Sequence, residues 1–185
     1  DARMSRPIPL IVVAQLFGTS LWFSANGVGD QLLLLWALDA GDLGTLTAAV
    51  QLGFIAGTLL FAVSGSADRF RASRLFFVAA LCGALANLGL AWVARDLESA
   101  LVFRFLTGLA LAGIYPVGMK LVVSWAPERR GEALAWLVGM LTVGTATPHL
   151  LNGLSLGLDW QWVVSLASSL AIAGGVLVRL VGDGP

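Results

Sequence analysis

Residues 43–63 read LGTLTAAVQLGFIAGTLLFAV and contain no charged side chain. Because an α-helix of about 20 apolar residues crosses a hydrocarbon layer of roughly 30 Å, this stretch predicts a transmembrane helix. Five further stretches of the chain follow the same rule. The six predicted spans are 9–29, 43–63, 73–94, 99–123, 132–153 and 160–181. The sequence therefore predicts an all-α, polytopic membrane protein, with residues 1–185 forming one six-helix transmembrane bundle.

The composition excludes a water-soluble domain. Of the 185 residues, 58% are hydrophobic and only 12% are charged, which is about half the charged fraction of a typical soluble domain. The formal net charge is zero, so no basic field attracts nucleic acid. The single cysteine, Cys82, cannot form a disulfide within this chain, and its apolar neighbours predict a buried position. The lipid bilayer is the expected environment.

The basic residues fall on one side of the predicted membrane. Eight lie before the first helix, in alternate loops or at the end of the sixth helix, whereas the other side holds only Arg95. Positively charged loops stay on the cytoplasmic side, so both termini are predicted to be cytoplasmic. The eight residues are Arg3, Arg6, Arg69, Arg71, Arg74, Arg129, Arg130 and Arg179.

Two basic residues, Arg104 and Lys120, lie inside the predicted fourth span. A charge within the bilayer is costly and is a functional candidate by default. Lys120 is near enough to the inner end to extend its ammonium group to the interface, which favours a structural role. Tyr115 is eleven residues beyond Arg104 and returns to the same helix face at about 100° per residue. We predict that both face one cavity, where Arg104 would hold an anionic group or a carboxylate from outside this chain.

Three other predicted helices also carry polar stripes. Single residues in these stripes are explained by hydrogen bonds between helices, whereas a shared water-accessible pathway lined by helices one, two, four and five explains all of them together. The stripe in helix five contains the only histidine, His149, a candidate for proton coupling that cannot form a metal site alone. The residues assigned to the pathway are Gln15, Thr19, Trp22, Asn26, Gln51, Arg104 and Tyr115.

No motif of a soluble enzyme supports catalysis. The sequence contains no GxxxxGK[ST] and no HExxH motif, and no GxSxG between a strand and a helix. Paired carboxylates, which an intramembrane aspartyl protease requires, are absent from the predicted spans. We therefore predict no enzymatic activity, no cofactor and no metal.

The loop between the second and third predicted helices, residues 64–74, reads SGSADRFRASR. It resembles the major facilitator superfamily pattern close to G-x-x-x-D-R-x-G-R-R, with Asp68 and Arg69 in matching positions. The sequence departs from this pattern at Ser64, Arg71 and Ala72. Residues 127–133, PERRGEA, are similar to the family's turn before the fifth helix. The resemblance implies a cytoplasmic gate formed by Asp68, Arg69, Arg74, Glu128 and Arg129.

Two helices extend the resemblance. Residues 104–108, RFLTG, followed by Gly113, are similar to the family's R-x-x-x-G element in the fourth helix. Gly139, Gly144 and Pro148 resemble a glycine–proline element of antiporters, but Pro148 is displaced and no antiport is inferred. Residues 15–26 resemble bacterial members grouped with nitrate/nitrite and cyanate porters.

The resemblance implies a secondary transporter of the bacterial cytoplasmic (inner) membrane. Such proteins move a small solute, with or without a coupling ion, by alternating access between two six-helix halves. Arg104 would suit an anionic solute. This chain matches one half, and we expect a truncated amino-terminal half, the alternative being a half-size protein that forms a homodimer. Two other hypotheses remain open, namely a non-transporting membrane scaffold or receptor and an inactive transporter fragment.

Overall fold

The computed structural model describes residues 7–153 and 158–184, without the side chains of 147–153. Every regular element in these ranges is helical, which confirms the all-α prediction. The helices are α1 (Pro7–Phe23), a 3₁₀ turn (Asn26–Val28), α2 (Gly29–Trp36), α3 (Ala40–Ser64), α4 (Ser66–Arg69), α5 (Ala72–Trp92), α6 (Leu97–Leu111), α7 (Tyr115–Trp125), α8 (Arg130–Gly153) and α9 (Trp160–Val181).

Within the described residues, four stretches are long and apolar enough to cross a membrane: Ala40–Ser64, Ala72–Trp92, Leu97–Trp125 and Trp160–Val181. The first predicted helix provides a fifth if α1 and the helical residues up to Trp36 count as one bent span. α8 corresponds to the predicted span 132–153. The predicted spans therefore agree with the observed helices except at two interruptions.

The first interruption divides the predicted helix 9–29. α1 ends at Phe23, and the helical path bends by 51° before continuing to Trp36. Much of the predicted loop after residue 29 is consequently helical. The hydroxyl of Ser24 contributes to this break, because it lies 3.1 Å from the carbonyl oxygen of Leu21 and competes for the helical ladder.

The second interruption divides the predicted helix 99–123 at residues 112–114. Pro116 has no N–H group and cannot donate to the carbonyl of Ala112. Gly113 and Ile114 donate instead to the carbonyls of Ala110 and Leu111, at 2.9 and 3.0 Å. These tighter i→i+3 turns change the rotation per residue, so a face followed along α6 does not continue unchanged into α7.

Small residues bring α3 and α6 into backbone contact. A Cβ atom at Gly53 would meet the carbonyl oxygen of Phe105, and one at Gly108 would meet that of Val50. Glycine permits this approach in lipid, where apolar side chains gain little by associating with one another. α5 packs against α6 and α9, and α1 packs against α8 and α9, so the helices form a connected bundle.

The two ends of the bundle differ in their side chains. At the predicted outer end, Trp36 packs edge-on against Trp160 with ring centres 5.8 Å apart, and Trp92 against Trp162 at 5.6 Å. At the predicted inner end, Asp183 follows α9 and accepts a 2.8 Å hydrogen bond from the backbone N–H of Ser73. This bond ties the segment after α9 to the first turn of α5.

Cys82 is exposed, and the prediction that it is buried is wrong. Apolar residues occur on both the buried and the exposed sides of α5. Periodicity cannot separate the core-facing side of such a helix from its lipid-facing side.

Candidate functional site

Arg104 is fully buried within the bundle. Its two terminal nitrogens donate hydrogen bonds to the carbonyl oxygens of Leu21, at 3.0 Å, and Trp22, at 2.7 Å. These carbonyls belong to the last turn of α1, where the helix supplies no donor and carries partial negative charge. The end of α1 therefore holds the guanidinium.

The described residues do not bring Arg104 and Tyr115 together in one open cavity, and their shared cavity stays a prediction. Arg104 has no exposed surface, and Tyr115 is half-buried against the apolar cluster around Phe76 and Leu111. The tight turns at residues 112–114 explain the difference, because the prediction assumed an uninterrupted helix between the two residues.

The predicted polar stripe of α1 divides between different environments. Gln15 and Thr19 are fully buried, and the Thr19 hydroxyl bonds to the carbonyl of Gln15 within the same helix, at 2.8 Å. Trp22 is half-buried, with its ring centre 4.9 Å from that of Phe54. Asn26 is exposed. The four residues do not line one continuous open pathway.

Gln15 has an unusual environment. Among the described residues, neither polar atom of its side-chain amide has a hydrogen-bond partner. The amide packs against the backbone of Gly118 in α7, where a Cβ atom would overlap it. Gly118 therefore leaves room for the Gln15 amide between α1 and α7, where its lack of hydrogen bonds is unfavourable.

Polar side chains of α3 and α8 point away from the bundle interior. Gln51 and Thr58 on α3 are exposed, as are Thr142 and Thr145 on α8. No described residue covers them. His149 and Asn152 follow in α8, but their side chains lie outside the described part, so the predicted proton-coupling role of His149 stays a prediction.

Lys120 connects α7 with the loop between α3 and α5. Its ammonium nitrogen lies 2.8 Å from a carboxylate oxygen of Asp68 and 2.7 Å from the carbonyl oxygen of Ala67. The hydrogen bond and the positive charge of Lys120 lower the pKa of Asp68 below its ordinary value of 3.8. Sequence analysis indicated a structural Lys120 but missed this partner, although both residues were predicted near the inner membrane surface.

The other residues predicted for the gate do not assemble around Asp68. Arg129 donates to Glu132, with its Nε atom 2.8 Å from a carboxylate oxygen. Arg69, Arg74 and Glu128 are exposed, and in the part of the chain that the structure describes they have no side-chain hydrogen bond or ion pair. A gate built from all five residues therefore remains a prediction.

A cavity of about 830 Å³ opens at the same end of the bundle, between the start of α1, the end of α7 and the start of α8. None of the predicted pathway residues lines it, whereas Glu128 and Arg129 do. Sequence analysis missed this cavity because it is formed by helix ends that are distant in sequence. Its lining residues are Ile8, Pro9, Val12, Val13, Trp125, Ala126, Pro127, Glu128, Arg129, Glu132, Ala133, Trp136 and Met140.

Asn87 links three parts of the bundle, a role that was not predicted from the sequence. It is fully buried in α5, where its amide oxygen accepts a 2.9 Å hydrogen bond from Ser24 and its amide nitrogen donates to Ser168, at 3.1 Å. This bridge joins the residue after α1 to α5 and α9, next to the bend. An amide in the middle of an apolar helix was the available signal.

The fold and these contacts describe a multi-pass helical membrane protein. The family model of the Major Facilitator Superfamily matches residues 6–185, and the chain belongs to this family. The prediction of a major-facilitator-type fold is thereby confirmed.

Transporters are among the curated relatives. The chain is 26% identical over 152 residues to the putative niacin/nicotinamide transporter NiaP of Bacillus subtilis (strain 168), covering 81% of this chain and 37% of that protein. It is 36% identical over 126 residues to the niacin transporter NiaP of Acinetobacter baylyi, covering 62% of this chain and 28% of that protein. Solute carrier family 22 member 6-A of Xenopus laevis is 31% identical over 145 residues, covering 76% of this chain and 25% of that protein.

A solved structure supports the fold. A bacterial homologue of the human lysosomal transporter Spinster, in an inward-facing and unoccupied conformation, matches with a TM-score of 0.70 and 14% identity. The match covers 98% of this chain and 43% of that chain. The chain thus spans less than half the length of these relatives. The likeness to nitrate/nitrite and cyanate porters is not tested by them and stays a prediction.

Proposed function

We propose that this chain is one six-helix half of a secondary transporter that moves a small solute across the bacterial cytoplasmic membrane by alternating access. Family membership and the transporter names of the relatives support membrane transport. Major facilitator transporters pair two six-helix halves around a site near the middle of the membrane. The eight-to-one distribution of basic residues favours cytoplasmic termini.

The observation that carries this proposal is a set of exposed polar side chains, which we call the uncovered surface: Gln51 and Thr58 on α3, and Thr142 and Thr145 on α8. An exposed amide such as that of Gln51 is unfavourable against lipid hydrocarbon. A second six-helix half, or a second copy of this chain, would cover this surface and enclose a polar pathway.

Arg104 does not offer a free guanidinium to an anionic solute, because two of its nitrogens bind carbonyls of α1. Two relatives are named for niacin, whose carboxylate is ionised at neutral pH. The relatives therefore support an anionic solute better than Arg104 does. We assign Arg104 to positioning α1 and leave solute contact to the uncovered surface.

Proteoliposomes provide the test. The chain is reconstituted alone and together with a second six-helix half, and saturable uptake of radiolabelled nicotinate and of other small organic anions is measured. We expect saturable uptake only when a second half or a homodimer is present. A monodisperse monomer with saturable uptake would contradict the proposal.

Adjacent residues on α3 supply matched variants. Gln51→Leu should reduce uptake because it removes an amide from the proposed pathway. Leu52→Val should leave uptake close to that of the unmodified protein, since Leu52 is an exposed apolar residue of the same helix. Equal uptake by the two variants would remove Gln51 from the pathway.

A further inference from the structure

The cavity at the predicted inner end has apolar walls and a charged rim. Ile8, Val12 and Val13 of α1 form one wall, and Trp136 and Met140 of α8 form another. Its volume of about 830 Å³ lies within the range of roughly 300–1,000 Å³ found for pockets that bind small molecules. It can therefore hold an organic molecule with a sizeable apolar body.

The rim carries one carboxylate that no described cation neutralises. Of the charged residues that line the cavity, Arg129 and Glu132 bind each other through two hydrogen bonds. Glu128 is exposed and has no hydrogen bond or ion pair within the described chain. Arg130 follows in sequence, but its Nε atom donates to the carbonyl of Pro127, at 2.7 Å, and it does not line the cavity. The lining residues thus carry a net negative charge.

Two tryptophans, Trp125 and Trp136, also line this cavity. Trp136 is 62% exposed, so its ring is available to a ligand. Trp125 donates its indole N–H to the carbonyl of Gly182, at 3.3 Å, which fixes the ring as part of the wall. The faces of indole rings attract cations. The tryptophans and the unpaired carboxylate of Glu128 therefore both favour a positively charged ligand.

We propose that this cavity binds organic cations with a bulky apolar body, at a site separate from the solute pathway. Glu128 neutralises the positive charge, Trp136 contacts it through its ring face, and the side chains of α1 and α8 enclose the apolar groups. The proposal goes beyond solute transport. None of the residues assigned to the pathway lines this cavity, although Glu128 and Arg129, which were predicted for the cytoplasmic gate, do.

Two probe ions of nearly equal size and opposite charge test this proposal. Tetraphenylphosphonium is a cation and tetraphenylborate is an anion, and both are bulky and apolar. Binding to the full protein in lipid nanodiscs is measured by isothermal titration calorimetry and by quenching of tryptophan fluorescence, with empty nanodiscs subtracted. We expect saturable binding of tetraphenylphosphonium only. Saturable binding of both ions with similar affinity would overturn the charge selectivity.

Single-residue variants test whether Glu128 and Trp136 bind the cation. Glu128→Gln should weaken tetraphenylphosphonium binding at least tenfold, whereas Glu98→Gln should leave it unchanged, since Glu98 is an exposed carboxylate in the first turn of α6. Trp136→Phe should also weaken binding and reduce the quenching. Unchanged affinity in both Glu128→Gln and Trp136→Phe would overturn the proposal. None of these measurements requires transport, so failure of the cation site and failure of the proposed transport are distinguishable.

Discussion

The guanidinium of Arg104 on α6 lies 3.0 Å from the carbonyl oxygen of Leu21 in the last turn of α1. This bond, with its neighbour to Trp22, satisfies carbonyls that the break after Phe23 leaves without helical donors. Arg104, which the sequence predicts to hold an anionic group, thereby stabilises a bend in the first span. The bend and the charge depend on each other, since each would be unfavourable alone in a bilayer.

Replacement of Arg104 should destabilise the bundle and abolish transport. Arg104→Ala removes a donor from the carbonyls of Leu21 and Trp22, of which Leu21 keeps the Ser24 hydroxyl. An unsatisfied buried carbonyl costs roughly 1–3 kcal/mol, so thermal unfolding in detergent should shift to lower temperature. Arg104→Lys should give an intermediate shift, because an ammonium cannot reproduce the planar donor fork. Arg95→Ala, at an exposed position on the predicted outer side, is the control. An unchanged unfolding temperature combined with lost uptake would favour solute binding by Arg104 instead.

The contact between Lys120 and Asp68 should appear in an acid titration. Lys120 lowers the pKa of Asp68, so the stabilisation from this pair is present above the ordinary value and is lost as the pH falls through the lowered pKa. Lys120→Gln should raise the pKa of Asp68 toward 3.8. Carboxyl ¹³C chemical shifts of labelled aspartates in nanodiscs measure this change.

Asp96 is the internal control for that titration. Hydrogen bonds from Ser99 lower the pKa of Asp96, and these bonds do not involve Lys120. The Asp96 titration should therefore be the same in Lys120→Gln and in the unmodified protein. If Asp68 also titrates unchanged, the ion pair does not persist in the membrane.

Two glycines should respond differently to the same substitution. Gly53→Ala places a methyl group against the carbonyl oxygen of Phe105, whereas Gly139→Ala finds no described atom within 4 Å. We expect Gly53→Ala to lower the unfolding temperature by several degrees. Gly139→Ala should be neutral or stabilising by up to about 1 kcal/mol, because alanine favours the helix. Equal effects would contradict the close α3–α6 packing.

The orientation of the bundle can be tested with introduced cysteines. Cys82 is exposed and must be replaced first. Phe70 is 54% exposed next to α4, and Ala40 is exposed at the start of α3. A cysteine at Phe70 should react with an impermeant thiol reagent only from the cytoplasmic side, and one at Ala40 only from outside. Ser73 is unsuitable because it is buried beneath Asp183. Labelling from the opposite sides would reverse the predicted topology.

Hydropathy predicts the lengths of the helices, but it does not predict the positions of their breaks. α3, α5, α8 and α9 lie close to their predicted spans because each is a long apolar stretch bounded by charged or turn residues. The break at 112–114 had a local signal in Pro116. The break after Phe23 depends on contacts among Ser24, Asn87 and Arg104. Because these residues are far apart in sequence, no short sequence pattern predicts the break.

The faces of the helices were harder to predict than their ends. Gln15 and Gln51 are the same residue type in similar polar stripes, yet Gln15 is buried and Gln51 is exposed. Which of them meets a neighbouring helix depends on how the whole bundle packs. The cation site was beyond sequence analysis for the same reason, since the start of α1 and the start of α8 come together only in three dimensions.

The glycine contacts between α3 and α6 have a mechanical consequence. With backbone resting on backbone at Gly53 and Gly108, no flexible side chains lie between the two helices at these points to absorb sliding. A force applied to α3 is transmitted directly to α6, and through Arg104 to the bent end of α1. We expect α3 and α6 to move together as a rigid body, with deformation concentrated at the bend after Phe23.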